Sequence, residues 1–100
     1  MEFSFNLIQM FEKVMVEASE KLDFVDNSFE PQLRIADQRF GDFQANGVLP
    51  FAKRKGLNPR EVAQSLVAMI PQSDSWETSI AGPGFINFKL APDSLQNWVL

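Results

Sequence analysis

Residues 76–90 constrain the fold more than any other stretch. Trp76, Thr78 and Ile80 alternate with Glu77, Ser79 and Ala81. After Gly82-Pro83-Gly84, Phe85, Asn87 and Lys89 alternate with Ile86, Phe88 and Leu90. A strand sends successive side chains to opposite faces, so a period of two on both sides of a Gly-Pro-Gly turn predicts a β-hairpin. Ile86, Phe88 and Leu90 share one face of the second arm, and that face belongs against a layer of helices.

The rest of the chain supplies those helices. Leu7, Phe11, Val14, Ala18 and Leu22 recur at spacings of four, three, four and four, which predicts an amphipathic helix over 5–22. Its polar side holds Glu12, Lys13, Glu17, Glu20 and Lys21. That mainly acidic face suits a core-packed helix, not one lying on a membrane. Asp26-Asn27-Ser28 is turn chemistry, and a short strand is expected from Gln32 to Ala36, after Pro31.

Asp42 is expected to cap a helix over about 43–55, with Phe43, Val48, Leu49 and Ala52 as its apolar positions. Lys53-Arg54-Lys55 fill its last turn and Gly56 follows, a C-terminal signature. Gly47 would weaken that helix by about 1 kcal/mol relative to Ala, which marks a place of close approach. Asn58-Pro59-Arg60-Glu61 starts another helix: Asn58 is the N-cap, Pro59 is N1 and Glu61 is N3. Val62, Leu66, Met69 and Ile70, flanked by Ala63 and Val67, line it until Pro71. Asp93 is expected to cap a last helix carrying Leu95, Trp98 and Val99.

The expected order is helix, strand, helix, helix, two strands, helix. It predicts an α+β, two-layer sandwich with helices packed on one face of a small, mainly antiparallel sheet. Residues 1–92 are expected to form the domain, with 93–100 the start of a helix leading onward. A chain ending inside a helix reads as the N-terminal piece of something longer.

Composition narrows the chemistry. At 100 residues, 45% apolar and 12% aromatic, the chain fits one domain with a real core. It has no cysteine and no histidine. Disulfides, thiolate metal sites, cysteine nucleophiles, histidine bases and a Ser-His-Asp triad are therefore excluded. Carboxylates are spread singly, without a catalytic spacing, so neither catalytic nor metal-binding residues are expected. No signal peptide and no run long enough to span a bilayer is visible, so a cytoplasmic protein is the expectation.

The net charge of −4 is unevenly distributed. Residues 1–30 hold seven acids and two bases, 31–60 six bases and two acids, and 61–100 four acids and one base. Arg34, Arg39, Lys53, Arg54, Lys55 and Arg60 thus form one basic segment, able to meet a polyanion locally. Alternatively, Lys53 to Lys55 only complement a helix C-terminus.

The face of the second arm opposite Ile86, Phe88 and Leu90 shows Phe85, Asn87 and Lys89 in a row. A ring can stack on a base, an amide can meet a base edge, and an ammonium can sit by a phosphate. In the bland alternative, Phe85 is covered by another element and Asn87 satisfies a loop. Gly82 and Gly84 fit either reading, since a tight turn and a close ligand approach both need glycine.

Two stretches carry a resemblance: Phe40-Gly41-Asp42-Phe43-Gln44-Ala45-Asn46-Gly47 and Ile80-Ala81-Gly82-Pro83-Gly84-Phe85-Ile86-Asn87-Phe88. In this order, with the basic helix and the Asn-Pro-Arg-Glu helix between them, the sequence resembles the N-terminal additional domain of arginyl-tRNA synthetases. Phe43 departs from the family pattern, which usually has Tyr there. The resemblance implies a tRNA-binding accessory domain that contacts the D-loop at the elbow of tRNA(Arg). Phe85 would pack on a D-loop base, Asn87 would read its edge, and Lys53, Arg54, Lys55 and Lys89 would neutralise phosphates, with Gly82 and Gly84 shaping the turn. The Phe40–Asn46 stretch is read mainly as structural.

The family's His-Ile-Gly-His and Lys-Met-Ser-Lys-Ser signatures are absent. The resemblance therefore implies no cofactor in this chain; ATP and Mg would belong to the parent, an ATP-dependent arginine-tRNA ligase whose catalytic domain follows in cis. A monomer without membrane contact is expected. The rival reading is a structural or protein-interaction domain that packs on a catalytic body without touching RNA, with Phe85 and Trp98 covered.

Overall fold

The computed structural model describes residues 2–36 and 42–91. Within them the chain runs α1 (Glu2–Glu20), β1 (Leu33–Ile35), β2 (Phe43–Ala45), α2 (Val48–Lys55), α3 (Pro59–Met69), β3 (Trp76–Ala81) and β4 (Phe85–Leu90). The strands form one sheet in the order β1-β2-β4-β3, and every neighbouring pair is antiparallel. The helices pack on one face of it, so the expected two-layer α+β sandwich is what the chain forms. The expected helix from Asp93, including Trp98, lies outside the described residues, as does Arg39.

The apolar stripe of α1 is buried through Leu7, Phe11, Met15 and Ala18, with Val14 half-buried; α1 ends at Glu20, and Leu22, expected within it, lies just beyond and is half-buried. Phe11 is the hub of the core. Its ring stacks on Phe88 at 4.4 Å, tilts against Phe43 at 5.6 Å and meets the edge of Trp76 at 5.5 Å. Such contacts add to the large apolar area that each ring removes from water. Ile86, Phe88 and Leu90 face this layer and are buried, as the alternation predicts.

α3 follows its sequence signals closely. Asn58 Oδ1 accepts hydrogen bonds from the backbone N–H groups of Arg60 and Glu61, at 3.0 and 3.2 Å, and Pro59 occupies the first turn. The end of α2 is likewise as expected: Gly56 adopts φ +68°, the left-handed cap that glycine permits.

The start of α2 is not where the spacing put it. Residues 43–45 form β2, and the helix begins only at Val48. Asp42 does not cap a helix. Its carboxylate accepts the Leu90 N–H at 2.8 Å, and its own N–H donates to the Phe88 carbonyl at 2.9 Å. Asp42 thus fastens β2 to the far end of β4. Gly47 is the residue before α2, not inside it. The close approach it marks is real: a Cβ there would stand 1.6 Å from the Glu30 carbonyl oxygen. The Gly47 and Asn46 N–H groups donate to the carbonyls of Pro31 and Gln32, at 2.9 and 3.1 Å. This clamp binds the segment before β1 to the segment after β2.

Candidate functional site

The face of the sheet away from the helices is built by β-strand register. Arg34, Gln44, Asn87 and Ser79 stand opposite one another in turn across all four strands. Beside this polar row, Lys89 lies opposite Glu77, and Phe85 opposite Ala81. Arg34, Lys89, Glu77 and Ser79 are exposed, while Phe85 and Gln44 are half-buried. A half-exposed ring thus sits at one end of a shallow polar trough, with a cation on β4 and another on β1.

Phe85 is held by the hairpin turn. Gly82 takes φ +55°, and a Cβ there would lie 3.6 Å from the Phe85 ring. Gly84 takes φ +145°, and a Cβ there would lie 2.9 Å from the Pro59 carbonyl oxygen. The close approach at Gly84 is therefore to the chain's own α3. Arg60 adds a second tie, donating from Nη1 to the Gly82 carbonyl at 2.7 Å. The turn that presents Phe85 is thus pinned to the N-terminus of α3.

Asn87 is on the expected face but at its floor, only 3% exposed. Its Oδ1 accepts a hydrogen bond from Gln44 Nε2 at 2.8 Å. The amide is satisfied by a neighbouring strand, not by a loop. Gln44 was legible as polar, but its place beside Asn87 depends on β2 being a strand.

The basic run lies elsewhere. Lys53, Arg54 and Lys55 end α2, in the helix layer, and do not join Phe85, Asn87 and Lys89 in one site. Arg54 donates to the Ser28 carbonyl at 3.0 Å and its guanidinium lies 5.9 Å from the Phe51 ring centroid. Lys55 forms an ion pair with Asp26. The Lys55 ammonium, then the Ser28 hydroxyl and N–H, hold the Asp26 carboxyl well below the usual carboxylate range. These contacts latch α2 to the turn after α1. Lys53 is exposed and has no such tie among the described residues. No described helix is long and apolar enough to cross a membrane.

Comparison with known proteins agrees with this architecture. The family model described as "Arginyl tRNA synthetase N terminal domain" matches residues 6–90. An arginine–tRNA ligase of Mannheimia succiniciproducens is 47% identical over 76 residues, covering 74% of this chain and 12% of that protein. One from Crocosphaera subtropica is 42% identical over 93 residues, covering 90% of this chain and 15% of that protein. In fold, the chain is similar to the crystal structure of arginyl-tRNA synthetase from Plasmodium falciparum. There the TM-score is 0.81 at 19% identity, over 93% of this chain and 17% of that one. The chain thus spans a small fraction of the length of the curated relatives it matches.

Proposed function

The chain belongs to the arginyl-tRNA synthetase N-terminal domain family, and from that premise we propose that it binds the D-loop at the elbow of tRNA(Arg) through the open face of its sheet. A catalytic domain following in cis would carry out the ATP-dependent ligation of arginine, in the cytoplasm. The observation that carries this reading is Phe85: a ring left half-exposed, on the face opposite the core, beside the exposed Lys89. A base stacks on that ring, Asn87 and Gln44 meet its edge from the trough floor, and Lys89 and Arg34 lie where phosphates pass. Lys53 is a candidate for a more distant phosphate contact from the helix layer, whereas Arg54 and Lys55 mainly hold the α2 latch. In the rival reading, a domain without RNA contact, a catalytic body or a protein partner would cover the half-exposed Phe85 ring.

Titration of a tRNA(Arg) transcript tests the reading. Phe85→Ala is expected to weaken binding about five- to 150-fold, the equivalent of about 1–3 kcal/mol per stacked base. Lys89→Ala should weaken binding of all sequences alike and reduce the salt slope by about one. Wild-type affinity in both variants would remove the open face as the RNA site.

A further inference from the structure

We infer that Asn46 is a deamidation site held latent by the clamp before α2, and that opening of the clamp commits it irreversibly to an acid. The inference is independent of the open-face reading. Asn46–Gly47 is the one Asn-Gly pair in the sequence. An asparagine side chain is open to attack by the backbone nitrogen of the next residue, and glycine, with no Cβ, hinders that attack least. The Gly47 nitrogen bonds to Asn46 Cγ, the Cγ–Nδ2 bond breaks, and ammonia leaves with the proton that the Gly47 nitrogen gives up. Water then opens the cyclic imide at either carbonyl, to an aspartate or an isoaspartate linkage.

The fold withholds the reacting atom. The N–H that must be lost is the one that Gly47 donates to the Pro31 carbonyl at 2.9 Å. Gly47 is buried against the backbone of Glu30 and Pro31, so a base from solvent does not reach its nitrogen. The imide has no N–H at residue 47, so reaction and clamp exclude each other. Nor can the product rebuild the clamp. The Asn46 and Gly47 N–H groups meet consecutive carbonyls, those of Gln32 and Pro31. An isoaspartate puts one more backbone atom between the two nitrogens, so both bonds cannot form together. Asn46 Oδ1 is buried without a hydrogen-bond partner. Whichever way the amide is turned, one end lies there, and an aspartate would set an unpartnered carboxylate oxygen in its place.

The test incubates the chain at mildly alkaline pH, folded and in guanidinium chloride, and follows Asn46 and Asn27 by peptide mapping with mass spectrometry. Asn27 is exposed, precedes Ser28 and serves as the internal reference. In denaturant Asn46 should react well ahead of Asn27; no reaction of Asn46 there would overturn the site itself. In the folded chain Asn46 should react at least about 100-fold more slowly than in denaturant, because only the minority open form reacts. Equal rates in the two conditions would overturn the shielding. The reacted chain, separated by its extra negative charge and returned to buffer, should unfold at a lower temperature than the unreacted chain. An equal Tm would overturn the loss of the clamp. Asn46→Gln, whose longer side chain closes the ring far more slowly, should keep its mass and Tm through the same incubation; a Tm loss there would place the damage elsewhere. Where that variant does not fold, the wild-type rates in buffer and denaturant decide alone.

Discussion

Gly47→Ala should be strongly destabilising, against the ordinary expectation for its backbone. Gly47 has φ −77° and ψ −15°, which alanine adopts freely. At such a position, replacing glycine normally stabilises by about 0.4–1 kcal/mol, because the unfolded chain loses freedom. Here the new Cβ would lie 1.6 Å from the Glu30 carbonyl oxygen, where ordinary contact begins at 3.4 Å. The backbone must open by about 1.8 Å, the difference of those two distances. That gap breaks the Gly47–Pro31 hydrogen bond and strains Asn46–Gln32. Each bond is worth about 1 kcal/mol, and overpacking adds about 1–3 kcal/mol. The sum is a loss of about 3–5 kcal/mol, a large share of the stability of a domain this size. At about 4–8 °C per kcal/mol, thermal unfolding by circular dichroism should show Tm falling by at least about 12 °C. Gly56→Ala is the control: its φ is +68° and nothing lies within 4 Å of its Cβ, so only the left-handed backbone matters, at about 1–2 kcal/mol. A Gly47→Ala Tm equal to or above wild type would refute the clamp.

Three further outcomes follow from the same contacts. Asp42→Ala leaves the Leu90 N–H without its acceptor and should cost about 1–3 kcal/mol in urea unfolding; no change in the midpoint would contradict the fastening of β2 to β4. Asn58→Ala removes the α3 cap and should cost about 1 kcal/mol, a loss absent if the cap is idle. Asp26 has its carboxyl pKa lowered by Lys55 and Ser28, so its latch contributes fully above the unfolded value of about 3.9 and is lost as pH falls towards the lower folded value. A carboxyl NMR titration should place the Asp26 midpoint below about 3.9, and Lys55→Met should move it back up, short of the free value because Ser28 still donates to the carboxylate. An ordinary midpoint in wild type would contradict the latch.

The elements that sequence reveals are those whose determinants are local. Asn58 and Pro59 begin α3 by their own hydrogen-bonding and ring geometry, and Gly56 ends α2 by its left-handed cap. The β3–β4 hairpin shows in its period of two. β2 stayed hidden because three residues are too few for alternation to register, and Phe43-Gln44-Ala45 is equally at home in a helix. Two signals argue against a helix there: Pro50 would fall mid-helix in a span of 43–55, whereas in α2 it lies in the first turn, where a missing N–H costs nothing. Gly47 is the other. Alternation likewise placed Asn87 on the correct face but says nothing of its depth or of its cross-strand bond to Gln44. The partners of Arg54 and Lys55 lie 26 and 29 residues away, beyond any local pattern.

The most direct test of the open-face account is a map of backbone amide shifts as tRNA(Arg) is added to the isotope-labelled chain. The account predicts that the largest changes cluster on Phe85 to Lys89, on Glu77 to Ala81 and around Gln44, with the middle of α1 nearly silent. Changes confined to the helix layer, with β3 and β4 unmoved, would contradict it.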